Sequence, residues 1–358
     1  EEFLVDWDAS AASKGGWSSF MAKEIADQPQ SVGDTLMARL NSDGTVHLAE
    51  LAPIMDKLQT IDRIIMVACG TAAYAAEVGK YAIETWARIP VSVELSHEFR
   101  YRNPILTPNT LVVAVSQSGE TMDTLMATRY AKESGAMVLT ICNTQGATLA
   151  READAVLYTH AGPEVAVAST KAFTAQLTVL YLLALQLGKI RNSRSLSELQ
   201  DVGRDLLKLP SQIAEVLENS KSMVELAKSF KDAKTVLFLG RHVGFPIAME
   251  GALKLKELAY IHSEGFAAGE LKHGPIALIE AGQPVIVIVP SPEDPDSLHA
   301  KVISNIQEVK ARGAEVIAIA EQGDEEAGKY AAKVFYVPEV QQMLRPVLSV
   351  IPLQIFAL

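Results

Sequence analysis

Cysteine is almost missing: the 358 residues hold two, Cys69 and Cys142. Two isolated thiols exclude a disulfide framework and give no metal-ligand spacing, which fits a reducing, cytosolic setting. The 7 histidines show no metal spacing either, so no metal and no cofactor is expected. Positive charge is also scarce. Lys plus Arg is 32 against 43 for Asp plus Glu, a net charge of −11, with no basic block. Such a chain is a poor partner for nucleic acid or an anionic membrane, and any phosphate must be held by a local site. Long hydrophobic runs are lacking as well. The longest largely apolar stretch, residues 177–187, is about half of the ~20 residues a membrane span needs, and reads as a buried helix. The acidic, Trp-containing N-terminus is not a signal peptide. A soluble, cytoplasmic protein is expected. What is present fits a globular enzyme or binding protein: 49% hydrophobic and 21% charged residues, in a length that suits two domains each with its own core.

The apolar run 111–115 reads as a buried strand, and a helical pattern starts at Met122. Between them lies SQSGET, residues 116–121. Backbone N–H groups unpaired at a helix start attract anions. Gly119 lets the chain approach such an anion, and the hydroxyls of Ser116, Ser118 and Thr121 can donate to it. The loop has no lysine or arginine, so it is not the Lys-containing P-loop, and a small phosphorylated metabolite suits it better than a nucleoside triphosphate. Ser, Thr and Gly clusters at such turns are also ordinary caps and turns.

The rest of the first module follows the same alternation. Residues 18–27 and 31–40 have helical periodicity separated by Pro29, and residues 1–40 read as a connector. The chain opens at Glu1 with neither Met nor strand, which suggests a segment upstream of it. Strands are predicted at residues 64–67, 91–95, 111–115, 137–142 and 155–159, with helices at 72–87, 122–134 and 169–187. Buried strands alternating with helices argue for a parallel sheet covered on both faces, with ligands beyond the carboxyl ends of the strands. Polar loops at residues 69–71, 116–121 and 143–146 fall at such ends. In the segment 162–171, Ser169 and Thr170 can cap the long helix.

A charged helical connector, residues 195–230, leads to a second module with strands at 235–239 and 285–289 and a helix at 245–261 with Pro246 in its first turn. ESGAMVLTICN (133–143) and ARGAEVIAIAE (311–321) match in pattern, giving an internal repeat of roughly 170–180 residues and so two similar domains. The second copy of SQSGET is PSPEDP (290–295), acidic and unsuited to phosphate. Candidate chemistry in this half lies in residues 250–275. Lys254 and Glu257 share a helix face, although Glu250 and Lys254 also read as a solvated i,i+4 pair. His273 lies in GELKHGP (269–275), read as a loop between glycine and proline. Cys69 has no nearby base and is not read as a nucleophile. Arg100, Tyr101 and Arg102 are too few for nucleic acid and are read as surface or interface contacts.

Five segments together carry a resemblance: CGT (69–71), SQSGET (116–121), VASTKAFT (167–174), EGALKLKE (250–257) and GELKHGP (269–275). With SKGGWSSFMAKEIADQP (13–29), they are similar to the isomerase half of glutamine–fructose-6-phosphate aminotransferase (isomerising), built from sugar-isomerase (SIS) domains. The resemblance implies an α/β chain of two similar three-layer α/β/α SIS domains with mainly parallel sheets, after an N-terminal helical linker. The divisions expected are 1–45 for the linker, 46–192 for a phosphate-binding domain, 193–226 for a helical connector and 227–358 for a domain bearing the catalytic Glu and His. It implies a fructose 6-phosphate site and glucosamine 6-phosphate as product. Ser116, Gln117, Ser118 and Thr121 would hold phosphate, and Cys69, Gly70, Thr71, Val167 and Ser169 would line the sugar. Glu257 would move a proton between C1 and C2, Lys254 would stand near the reacting carbons, and His273 would open the ring from across a homodimer interface. Ala72 stands where some members have serine. The family's glutaminase half and the tail lysine that forms a Schiff base with the sugar are not in this sequence, so sugar binding with impaired turnover is expected. Another SIS phosphosugar isomerase or deglycase, or a non-catalytic sugar-phosphate sensor, is the alternative.

Overall fold

A computed structural model describes residues 13–296 and 298–358. The first twelve positions of the expected linker lie outside the described residues. The chain divides into two compact units, Glu1–Pro210 and Ser211–Leu358.

The first unit is built on a five-stranded sheet: β1 (Arg63–Ala68), β2 (Val91–Leu95), β3 (Thr110–Val115), β4 (Met137–Cys142) and β5 (Ala155–Tyr158), in the order β2-β1-β3-β4-β5. All pairings are parallel. Every residue of β3 and β4 is buried, as a sheet covered on both faces requires. From β1 the chain crosses to one side, and from β3 to the other. The crevice between the ends of β1 and β3 is therefore the topological switch point. Helices Thr71–Trp86 and Lys171–Arg191 pack closely together, because a Cβ on Gly79 would stand 3.0 Å from the Leu180 side chain.

Two expectations for this unit need correction. Pro29 does not separate two helices; it lies in the first turn of Gln28–Leu36, where its missing N–H costs nothing. The apolar stretch 177–187 belongs to a longer helix, Lys171–Arg191, of 21 residues. By length and composition it could cross a membrane, but 89% of its apolar window is buried within the fold.

The second unit repeats the plan with β6 (Thr235–Gly240), β7 (His262–Ala267), β8 (Pro284–Ile288), β9 (Glu315–Glu321) and β10 (Lys333–Val337). Its order, β7-β6-β8-β9-β10, is the first sheet's order over again, again all parallel. The internal repeat in the sequence is thus a repeated architecture. In chain order the two sheets are separated by helices Leu196–Leu206, Leu209–Glu218 and Lys221–Ser229, the first opened by a Ser195/Glu198 capping box, and the division between the units falls within the second. β7 was not predicted. Helix Gly244–Leu258 stops short of residue 261, Tyr260 takes φ +55, and the chain re-enters the sheet at His262. Residues 269–275 are not a plain loop either, since 3-10 turns Ala268–His273 and Pro275–Leu278 flank Gly274 at φ +143.

Candidate functional site

The loops after β1 and β3 face each other across the switch point of the first unit. They line a cleft of ≈ 190 Å³ with Cys69, Thr71, Ala72, Val115, Ser116, Gln117, Ser118, Thr121, Thr124, Ser169 and Gln176. None of these residues is charged. The volume falls below the ~300–1,000 Å³ typical of larger ligand pockets, so the cleft suits a small polar metabolite. Gly70 joins Cys69 to the helix at Thr71 with φ +54.

The 116–121 loop is tied at several points. The Gly119 N–H donates to Ser116 Oγ at 3.0 Å, and the Glu120 N–H donates to Ser118 Oγ at 3.2 Å. Thr121 precedes helix Met122–Glu133 without spending its side chain on a cap; its hydroxyl lies 3.3 Å from Ser116 Oγ. Glu120 accepts the Thr148 N–H at 2.7 Å, which holds its carboxyl below the usual range, and Gly119 O accepts the Leu149 N–H at 3.0 Å. The loop thus presents hydroxyls and a helix start on a braced backbone, an arrangement that can hold an anion by dipoles without a cation.

Sequence reasoning missed Thr124 and Gln176. Thr124 shares a 2.9 Å hydrogen bond with Ser96. Gln176 is buried on helix Lys171–Arg191, and its Oε1 has no hydrogen-bond partner among the described residues. The available signal was an amide inside an otherwise apolar run. Val167, by contrast, is not among the lining residues and is fully exposed at 102%.

The cap of the long helix differs from expectation. Thr170 occupies the N-cap position without a side-chain cap bond, and the Ser169 hydroxyl donates instead to Glu164 at 2.9 Å. The carboxylate of Glu164 caps the helix from six and eight residues upstream, accepting the N–H groups of Thr170 and Ala172. Burial pushes the Glu164 carboxyl up from its ordinary range; the bonds from Thr170, Ala172 and Ser169 pull the other way, and nearby Glu24 adds to the push.

Cys142, beneath the cleft, is buried, and burial pushes its thiol up to about 12. Cys69 is partly exposed and lines the cleft. Iodoacetamide at neutral pH should therefore label Cys69 and spare Cys142 in the folded chain. Peptide mass mapping checks this, and equal labelling of both would refute the assigned burial.

In the second unit, helix Gly244–Leu258 carries Glu250, Lys254 and Glu257. The expected solvated pair is not solvated: the Glu250 and Lys254 side chains are 0% exposed. Lys254 Nζ lies 2.5 Å from Glu257 Oε2 and 3.5 Å from Glu250 Oε1. Glu257 alone reaches solvent, with 34% of its side chain exposed. A carboxylate at the surface, held by a buried ammonium that a second carboxylate supports, can accept a proton at a fixed position. His273 ends the 3-10 turn Ala268–His273 and is exposed.

The second unit's own switch point is filled. Arg345, at the start of helix Arg345–Ala357, makes bonds of 2.6 and 3.1 Å to Asp294 of the PSPEDP segment, and a third of 3.2 Å to Glu321. The crevice there keeps only ≈ 20 Å³, room for about one water. Among the described residues no group of His, Cys, Asp and Glu could hold a metal.

Comparison with known proteins matches the SIS domain to residues 57–186 and again to 229–358. The glutamine–fructose-6-phosphate aminotransferase (isomerizing) of Leifsonia xyli subsp. xyli is 61% identical over 359 residues, covering 100% of this chain and 58% of that protein. Its namesake from Corynebacterium efficiens is 60% identical over 355 residues, covering 99% of this chain and 57% of that protein. The chain thus spans little more than half the length of these relatives. A solved structure, the C-terminal domain of glucosamine-fructose-6-phosphate aminotransferase from Francisella tularensis, is similar with a TM-score of 0.90 and 37% identity, covering 96% of each chain.

Proposed function

Given that the chain belongs to the SIS-domain family, with the isomerase halves of glutamine–fructose-6-phosphate aminotransferases, we propose that it binds fructose 6-phosphate and performs the ketose–aldose step that yields glucosamine 6-phosphate. Ser116, Gln117, Ser118 and Thr121 take the phosphate, and Cys69, Gly70, Thr71 and Ser169 surround the sugar, with the exposed Val167 side chain left out of that set. Glutamine-derived ammonia gives the imine at C2. Glu257 then removes a proton from C1 and returns one to C2, leaving an aldose with its amine at C2. Lys254 holds Glu257 in place and offsets negative charge in the intermediate. His273 opens the sugar ring from across a homodimer interface. A cytoplasmic setting agrees with two free cysteines, one of them at the site.

The observation that supports this reading best is the contrast between the two switch points. The first is open and lined by hydroxyls and amides, whereas the second holds its own ion pair. Calorimetry on the unmodified chain should show fructose 6-phosphate binding and no binding of fructose. Ser118→Ala should weaken it by about tenfold, the worth of one hydrogen bond to a charged group. Bound sugar phosphate should also shield Cys69 from alkylation. Absence of binding by the unmodified chain would end the proposal.

A further inference from the structure

We propose that Glu164 is a positioning residue of this cleft: it fixes the direction of the Ser169 hydroxyl, so that Ser169 meets its ligand as a hydrogen-bond acceptor. The inference rests on the sugar-phosphate reading of the cleft and assigns a partner within it. Ser169 lines the cleft, and its Oγ–H is donated at 2.9 Å to Oε2 of Glu164, which is not among the lining residues. The other oxygen, Oε1, accepts the N–H groups of Thr170 at 2.8 Å and Ala172 at 3.1 Å. With three donors on two oxygens, the carboxylate cannot turn without losing helix-start bonds. The loop that carries it is held from its other side as well. Glu24, buried on helix Phe20–Ala26, accepts the N–H groups of Val165 at 2.6 Å and Ala166 at 3.0 Å through Oε1.

A serine hydroxyl has one proton and two lone pairs. Glu164 takes the proton, so only lone pairs are left for the cleft. Ser169 therefore accepts from a sugar hydroxyl and does not donate to a phosphoryl oxygen. This separates it from the hydroxyls of the 116–121 loop and gives the cleft a directional contact at its sugar end.

Glu164→Gln is the decisive change. The Thr170 and Ala172 N–H groups still need an acceptor, so the amide oxygen takes the Oε1 place and the NH₂ faces Ser169. Ser169 then accepts from glutamine, and its proton turns into the cleft. E164Q should bind fructose 6-phosphate about tenfold more weakly, with affinity for inorganic phosphate changed less than about twofold. S169A should show a similar loss, and E164Q/S169A should be no weaker than S169A alone, because the two residues act as one unit. A merely structural Glu164 would weaken both ligands together and add to S169A. Unchanged fructose 6-phosphate affinity in E164Q would overturn the inference. Failure of the unmodified chain to bind the sugar phosphate would sink the functional reading instead, and amide exchange then decides on Glu164. E164A should speed exchange at Thr170 and Ala172 by at least about tenfold and leave the 116–121 loop unaffected. Unchanged exchange would overturn the clamp. Should E164A not fold, the same exchange is read in E164D, whose shorter side chain cannot keep the bonds to Thr170, Ala172 and Ser169 together, and the same two outcomes decide.

Discussion

Lys254→Met is expected to remove about 3–5 kcal/mol of folding stability, the usual cost of taking one partner from a buried ion pair. Methionine nearly matches the lysine stem in volume, so little of the loss comes from packing. The loss comes from charge. Glu250 is 0% exposed, and the ammonium 3.5 Å away is withdrawn from it. Glu257 loses its 2.5 Å partner in the same step, though its exposure lets water replace part of that contact. Urea denaturation measures the change. The double variant K254M/E250L should recover most of it, since a well-packed apolar pair is often as stable as a buried ionic one. The exposed pair Lys228–Glu225 supplies the contrast, with side chains 65% and 72% exposed. K228A should shift stability by less than about 1 kcal/mol. A K254M loss equally small would mean that Lys254 is not the buried cation described above.

Gly119→Ala is expected to abolish fructose 6-phosphate binding to any useful measure, by about a hundredfold or more, and to lower thermal stability. Gly119 has φ +67, where a side chain costs about 1–3 kcal/mol in strain. Space is the larger problem: an added Cβ would lie 2.5 Å from the Ala147 Cβ. The loop cannot back away cheaply, because Gly119 O is bonded to the Leu149 N–H and Glu120 to the Thr148 N–H. Any escape moves the hydroxyls of Ser116, Ser118 and Thr121 together. Gly135→Ala is the control, with φ +84 but nothing within 4 Å of its added Cβ and no part in the cleft. It should pay the backbone strain alone and keep more binding than G119A. Equal affinities for the two variants by calorimetry would refute the argument from Ala147.

How far the sequence could be read depended on what each feature owed to its neighbours in the chain. β3 and β4 are continuous apolar runs and read directly as buried strands of a parallel sheet. The loops that follow β1 and β3 read as a site because glycine and hydroxyl residues stand where strands end. β7 did not, since HSEGFA has neither an apolar run nor clean alternation, and it sits at the edge of its sheet. The burial of Lys254 was also hidden. The spacing of Glu250, Lys254 and Glu257 suits a solvated face, and only packing by the rest of the unit excludes water from it. The cap on helix Lys171–Arg191 escaped for a related reason. Ser169 and Thr170 are the usual capping types, but a carboxylate from Glu164 took the place first.

The ion pair that closes the second switch point sets the two copies of the fold apart in kinetic and concentration terms. Asp294 is tethered to the same chain as Arg345, so it competes with any anion in solution as an intramolecular ligand. Such tethering gives effective concentrations on the order of millimolar or more. The bidentate grip adds to that advantage. On the proposed reading a sugar phosphate therefore meets one open receptor and one already saturated from within, and calorimetry should return a single equivalent per chain although the scaffold occurs twice.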